Sequence, residues 1–331
     1  MNVTNVRTPI FLTGISGFIG SRLAERLLQE GFSVRGLARQ PETMSALAAQ
    51  GAEIVAGDVL DPISLSKAME GCRTVVHAAA WTVAHSGVSS ELAWRTNVEG
   101  TINMLAAARA VGVERFLHVS SIAVYGLAQG PLIDENIIAL PVGHPYPDSK
   151  IVAEVAVKAS GLPFIIIRPS HVYGPHDVWS LKILEQIRQG RVTLQKKEEG
   201  LVTTVYIENL LDAILLILIK EDVVNQTFNI CDKQAVTYRK FYQSYAQMLG
   251  LSELPTMPAW RVTLSRTKFF GFLREILGRP SPDRWSFHVR YHPLHYSIER
   301  AERVLGYTPK IDFVDGMCRT ETWIRSNGNL S

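Results

Sequence analysis

With 331 residues, 47% of them hydrophobic and 20% charged, the chain can build one large domain or two modest ones around an ample core. A formal charge of +3 is too small to argue for a nucleic-acid partner. Three scattered cysteines, Cys72, Cys231 and Cys318, give no disulfide framework, and no Cys/His cluster has metal-ligand spacing. The most apolar run, 210–219, is half a membrane span and contains Asp212, so no integral membrane segment is expected. The sequence shows no basic and apolar leader, and a cytoplasmic protein is expected.

In chain order, an apolar run at 9–12 feeds the turn Thr13-Gly14-Ile15-Ser16-Gly17-Phe18-Ile19-Gly20, and a helical run at 18–29 leads out of it. Strand, glycine turn and helix in that order make an anion site, because amides at the helix start point at the turn. Glycines there let the backbone close on a dinucleotide pyrophosphate. The first half then alternates strand-like runs (33–38, 53–56, 74–78, 116–119, 164–168) with helical patterns (42–50, 63–69, 91–110, 148–158). That alternation predicts right-handed βαβ units: an α/β fold, doubly wound, with a parallel sheet covered by helices on both faces. After Pro175 the rhythm breaks into a helix at 182–189, a strand at 202–207, a helix at 210–220, a strand at 227–230 and a helix at 238–249.

Tyr146 and Lys150 stand four residues apart and share one helix face. An ammonium close to a phenol favours phenolate, so the Tyr146 pKa is expected to fall toward neutrality. Ser121 can hold a substrate carbonyl or hydroxyl oxygen against the tyrosine. Taken alone, the pair also reads as a helix-start tyrosine and a solvated lysine; the glycine turn and Ser121 weigh for catalysis. Pro147 is tolerated only in a first helical turn, so the helix is expected to begin at Tyr146.

Together these elements resemble the short-chain dehydrogenase/reductase superfamily in its extended branch. Further pieces agree in order: Asp58-Val59, His77-Ala78-Ala79-Ala80, Asn97-Val98-Glu99-Gly100-Thr101, Ser120-Ser121 with Val124-Tyr125-Gly126, Arg168-Pro169 through Pro175, and Gly306-Tyr307-Thr308-Pro309. The resemblance implies a Rossmann NAD(P)-binding domain over 1–175, to which the chain returns at about 200–235, and a smaller C-terminal α/β substrate domain and lid over 176–331. It implies Tyr146 as the acid–base group, Ser121 as its partner, Lys150 as the group that lowers the tyrosine pKa and binds the nicotinamide ribose, and Asn97 on the proton path. It assigns the cofactor to Gly14, Ser16, Gly17, Phe18, Ile19, Gly20, Asp58, Val59, Ala78, Ala79, Ala80, Pro169 and His171. Trp81, Thr82 and His171 are expected to face the substrate, although His171 equally reads as a hydrogen-bonded structural histidine. His77 and His118 read as core, and His85 as a weak site candidate.

Three absences and substitutions narrow the reading. Family dehydratases carry Asp-Glu after the catalytic serine, where this chain has Ile122-Ala123. Family epimerases carry an arginine near 201–203, here Leu201-Val202-Thr203, although Arg261 or Arg290 could supply that clamp. The stretch Val205-Tyr206-Ile207-Glu208-Asn209 is similar to the 3β-hydroxysteroid and sterol dehydrogenase branch. The expected activity is interconversion of a secondary alcohol and a ketone on an apolar small molecule. The alternatives are a nucleotide-sugar epimerase that retains NAD, and a non-catalytic NAD(P)-binding protein. The second strand ends in Ala38-Arg39 rather than an acid, which favours NADP, with NAD possible. Relatives pair as homodimers through helices equivalent to 91–110 and 148–158. Residues 255–295 hold seven Lys/Arg against two acids, with interleaved aromatics. They read as a core-packing cap, or as a lid that touches an apolar substrate or an anionic membrane surface.

Overall fold

The computed structural model describes residues 9–82, 90–130, 132–195, 200–257 and 284–328. Seven parallel strands form the central sheet: β1 (Ile10–Thr13), β2 (Val34–Ala38), β3 (Glu53–Ala56), β4 (Thr74–His77), β5 (Arg115–Val119), β6 (Phe164–Pro169) and an edge strand, Gln226–Ile230. Their order is edge strand, β6, β5, β4, β1, β2, β3. The chain runs outward from β1 to β3 and then crosses to β4 on the other side of β1. The carboxyl ends of β1 and β4 therefore flank the point where strand order reverses, which is where ligands settle in open α/β sheets.

Alternation along the strands explains why both faces are covered. Ile10, Leu12, Val76, Leu117, Val119, Ile165 and Ile167 join one core. Their neighbours Phe11, Val75, Phe116 and Ile166 join the opposite core. A strand with apolar side chains on both faces cannot leave either face in water. Helices α1 (Phe18–Gln29) and α8 (Ile207–Ile219) contribute to the first core, and α3 (Pro62–Met69) and α5 (Gly100–Ala110) to the second. The thirteen-residue α8 is apolar because it is buried, and among the described residues no helix is long and apolar enough to cross a membrane.

Three local departures from the sequence reading have physical causes. The continuous helix expected over 91–110 is interrupted: α4 (Ser90–Trp94) and α5 are joined by a π-helical turn, Arg95–Glu99, closed by the Gly100 amide on the Arg95 carbonyl. Pro41 starts a 3₁₀ turn, Pro41–Met44, which divides the expected 42–50 helix and leaves only a short α2 (Ser45–Ala49). Helix α6 runs Pro145–Ala159, one residue earlier than expected at its start. His144 caps it, accepting the Tyr146 amide through Nδ1 at 3.2 Å. Pro145 and Pro147 then fall among the first-turn amides that lack helical partners anyway.

Beyond β6, α7 (Val178–Arg188), α9 (Tyr238–Met248) and the helices Arg284–Tyr291, Glu299–Leu305 and Phe313–Ser326 complete the described chain. One polar cluster, centred on Asp232 and Asn209, fastens this part to the sheet. Asp232 accepts hydrogen bonds from Thr204 Oγ1, the Tyr206 amide and Asn209 Nδ2. Asn209, the last residue of the Val205–Asn209 motif, also holds the backbone of Lys310 and Ile311.

Candidate active site

The glycine turn lies against the exit of β4. Gly14 adopts φ +72°, and a Cβ there would stand 2.7 Å from the Ala79 amide nitrogen. A Cβ on Gly20 would fall on the Gly14 carbonyl. Only glycine satisfies both the left-handed backbone and the close approach. Gly17 is the N-cap of α1 and offers no side-chain acceptor, and Ser16 and Gly17 are exposed. Phe18 and Ile19 open α1, half-buried against the core, with their amides at an uncapped helix start. No acidic side chain occupies that first turn. This cradle fits a dinucleotide pyrophosphate.

The other residues expected to hold the cofactor differ in burial and bonding. Ala78, Ala79 and Ala80 are half-buried beside Gly14. Asp58 and Val59 follow β3; Asp58 Oδ1 accepts the Leu60 amide at 2.9 Å, and Val59 is buried. Ala38 is buried at the end of β2, while Arg39 is exposed and makes no hydrogen bond or ion pair among the described residues. Pro169 is buried as the last residue of β6, paired with Ile230.

Ser121 and Tyr146 meet at the carboxyl end of β5. Ser121 caps a 3₁₀ turn, Ile122–Tyr125, and receives the Ala123 amide at 3.1 Å. Its side chain is also hydrogen-bonded with Tyr146. The neighbouring Ser120 is committed elsewhere, donating to Glu154 Oε1 at 2.7 Å. Lys150 is buried one helical turn after Tyr146 and donates to the Val119 carbonyl at 2.8 Å. Burial lowers its pKa to about 8, although Glu154 pulls the other way.

The tyrosine pKa corrects the sequence reading. Burial raises the Tyr146 phenol above its ordinary value, and the hydrogen bond with Ser121 only partly offsets this. The expected fall does not occur, because the Lys150 ammonium is directed at the Val119 carbonyl rather than at the phenol. With no cation engaged, a phenol moved out of water holds its proton more tightly.

Asn97 sits in the π-helical turn and joins three elements. Its Oδ1 accepts the Trp81 amide at 2.7 Å, and its Nδ2 donates to the Trp81 carbonyl at 3.1 Å and to Ser149 Oγ at 2.9 Å. Ser149 Oγ in turn donates to the Tyr146 carbonyl at 2.8 Å. The extra residue of a π turn swings Asn97 off the regular helix face, a device that recurs at functional sites. Trp81 and Thr82 are half-buried directly beyond the alanines. Val83 and His85 lie outside the described residues.

Beneath the site lies a charged network that the sequence reading missed. Arg168 donates to Glu154 through Nε and Nη2 at 2.8 and 2.6 Å, and through Nη1 to Tyr125 Oη at 2.9 Å. Tyr125 donates to Asn229 on the edge strand at 2.7 Å. Burial alone would raise the Glu154 carboxyl, but the bonds from Arg168 and Ser120 hold it below its ordinary value. The partners are 14 residues apart, one on a helix and one on a strand, so no local spacing announces them.

His171 is half-buried at the start of a short strand, His171–Tyr173, edge-on to Phe241 at 5.3 Å. Its Nε2 is buried without a hydrogen-bond partner among the described residues, and burial lowers its pKa to about 4. Of the basic aromatic stretch 255–295, residues 258–283 fall outside the described residues. Trp285 is described, and its ring centroid lies 4.7 Å from that of His144 and 6.5 Å from that of Tyr146. Its indole Nε1 is buried and unpartnered among the described residues. No spacing in the sequence places Trp285 beside the tyrosine, whereas His144 is only two residues before it and the proline between them is a local sign of a cap. Arg290, one of the two candidate phosphate clamps, donates to the Thr193 carbonyl at 3.1 Å; Arg261 is not among the described residues.

Comparison with known proteins agrees with this arrangement. The sequence model of the NAD dependent epimerase/dehydratase family matches residues 10–231. A "4-hydroxy-2-methyl-3-oxo-4-farnesyl-3,4-dihydroquinoline-1-oxide ketoreductase" of Stigmatella aurantiaca is 27% identical over 322 residues, covering 93% of this chain and 94% of that protein. A "3 beta-hydroxysteroid dehydrogenase/Delta 5-->4-isomerase" of Mycobacterium tuberculosis is 29% identical over 327 residues, covering 91% of this chain and 86% of that protein. Among solved structures, MoeE5 in complex with UDP-glucose and NAD aligns with a TM-score of 0.76 at 23% identity, over 97% of this chain and 99% of that one, which shows a shared fold. The chain belongs to the NAD dependent epimerase/dehydratase family and is an oxidoreductase of the extended short-chain dehydrogenase/reductase type.

Proposed function

We propose that this protein interconverts a ketone and a secondary alcohol on an apolar substrate, with NADP preferred over NAD. The observation that carries the reading is the environment of Tyr146: hydrogen-bonded to Ser121 on one side and faced by the His144–Trp285 aromatic pair on the other. An aromatic wall with an indole N–H that has no partner among the described residues suits a largely apolar molecule that brings a single acceptor. The ketoreductase and steroid dehydrogenase relatives support the same substrate class.

A nicotinamide bound in the crevice supplies the hydride in the reductive direction. Tyr146 Oη gives its proton to the substrate oxygen, which Ser121 Oγ holds. Lys150, anchored on the Val119 carbonyl, binds the ribose with its remaining N–H groups. Asn97 keeps α6 in register with the β4 exit and carries the proton path toward solvent. The glycine turn, Asp58, Val59, the alanines at 78–80, Pro169 and His171 line the cofactor, and Trp81, Thr82 and His171 face the substrate. Arg39 supports NADP: it is an exposed guanidinium, without a hydrogen bond or ion pair among the described residues, at the strand end where an acid would repel a 2′-phosphate.

The remaining assignments form one picture. Residues 1–175 with the returning 200–235 hold the cofactor, and 176–331 mainly shape the substrate side. Exposed Leu92, Trp94, Ile102 and Val155 on α4, α5 and α6 support a homodimer. The protein works in the cytoplasm, and its basic aromatic segment touches membranes at most peripherally. The test supplies ketones of graded size and apolarity with NADPH or NADH and follows cofactor oxidation. Turnover rising with apolarity, with NADPH preferred, is expected. Conversion of a nucleotide sugar without added cofactor would replace this reading by the epimerase, and binding without any turnover by a sensor.

A further inference from the structure

His77, buried at the end of β4, is left unused by the chemistry above, yet it occupies the middle of a hydrogen-bonded chain. The Ala79 amide donates to Thr13 Oγ1 at 3.2 Å, and Thr13 Oγ1 meets His77 Nδ1 at 2.8 Å. His77 Nε2 meets Thr101 Oγ1 at 3.0 Å, and Thr101 donates to the Asn97 carbonyl at 2.6 Å. Directions follow from counting protons. Thr101 has one hydroxyl proton, which goes to Asn97, so it can only accept from His77. Nε2 therefore carries the ring proton, and Nδ1 accepts from Thr13. Every hydroxyl and ring nitrogen in the chain is satisfied in one arrangement only. From Asn97 the chain continues through Ser149 to the Tyr146 carbonyl.

The geometry points to His77 as a positioning residue that, as the Nε2–H imidazole, couples the cofactor turn to the π-helical turn carrying Asn97 and thereby to Tyr146. Thr13 directly precedes Gly14, whose contact with Ala78 and Ala79 has no slack. Thr101 sits just after the π turn. The imidazole spans the two and no other side chain bridges them in the hydrogen bonds among the described residues. Burial, reinforced by Lys150, lowers the His77 pKa to about 3, so the donor–acceptor polarity persists through the neutral range. His118, its cross-strand neighbour at 5.5 Å, is likewise held neutral by burial and adds no competing charge.

The inference rests on the proposed function, and the experiment separates the two. NADPH affinity is measured by fluorescence titration without substrate. The kcat and KM are measured with a 2-alkyl-3-oxobutanoate ester, and melting by circular dichroism. Thr13→Val is expected to weaken NADPH about fivefold, the scale of one buried hydrogen bond, and by a larger factor than it lowers kcat. Thr101→Val is expected to lower kcat about tenfold, through misplaced Asn97 and Tyr146, with NADPH affinity within about twofold. His77→Leu should show both losses, and His77→Gln, whose amide reaches Thr101, should recover part of the kcat loss. A folded His77→Leu protein within about twofold of wild type in both quantities would overturn the inference. If that variant does not fold, equal effects of the two threonine variants on both quantities would overturn it. A wild type that binds neither cofactor would instead sink the proposed function.

Discussion

On the side of β4, β5 and α6, the polar atoms around Tyr146 are committed: Asn97 to Trp81 and Ser149, Ser149 to the Tyr146 carbonyl, Lys150 to Val119. His171 and Trp285, which belong to none of these elements, each bury a ring nitrogen that has no partner among the described residues. A buried unpaired polar group costs free energy that a hydrogen-bonding ligand would recover, although His118 on β5 carries two such nitrogens in the core. The first side is fixed before any ligand arrives and suits reaction. On the proposed function the second would be completed by the substrate and would serve selection.

The sharpest way to break this contrast is Tyr146→Phe. Removing the phenol while leaving the ring against Trp285 should cut turnover by about 10²–10⁴ with the substrate KM and NADPH affinity little changed. Steady-state kinetics and a cofactor titration check it, and near-normal turnover would remove Tyr146 from the reaction.

Next in size is the support beneath the fixed side. Glu154→Leu leaves the buried Arg168 without its carboxylate and should destabilise the fold by about 3–5 kcal/mol, read by urea unfolding. The same pair sets an acid limit. Because the folded carboxyl lies below its ordinary pKa, its contribution is complete above that ordinary value and is lost as pH falls through the folded one. The variant should therefore unfold with a shallower dependence on acid than wild type. An unchanged acid limb would show that Glu154 does not govern it.

Arg39→Ala concerns neither side and so serves as a control on where specificity resides. It should weaken NADPH by about 2 kcal/mol, roughly thirtyfold, while leaving NADH binding alone. Calorimetry with both cofactors measures this, and an NADPH affinity indifferent to the change would remove Arg39 from phosphate recognition. The smallest effect belongs to the selecting side. Trp285→Phe keeps the aromatic wall but deletes the indole N–H, and should raise the ketone KM about fivefold with kcat unchanged. A fall in kcat instead would mean that Trp285 also positions Tyr146.

The fixed side was the more legible in the sequence. The turn from Thr13 to Gly20 and the helix Phe18–Gln29 follow from glycine spacing and apolar periodicity, both local signals. The parallel sheet follows from strand and helix alternation. The π turn around Asn97 was not legible, because it depends on Trp81 and Ser149, partners 16 and 52 residues away. The direction of the Tyr146 pKa was misread for a related reason: spacing gave the distance along a helix but not where the lysine nitrogen points. Nothing in the sequence placed Trp285 near His144, since that contact joins residues 141 positions apart in the chain.

The edge strand Gln226–Ile230 has a consequence for the making of the protein. It pairs β6 along Ile165 to Pro169, and β6 is apolar on both faces. On the ribosome, about sixty residues must be added after β6 before that flank is covered. Throughout that interval β6 presents unpaired amides and carbonyls beside isoleucine side chains, a template for sticking to other nascent chains. A fragment stopped at Pro175 would carry this interval permanently, and should aggregate although it holds the whole glycine turn and Tyr146.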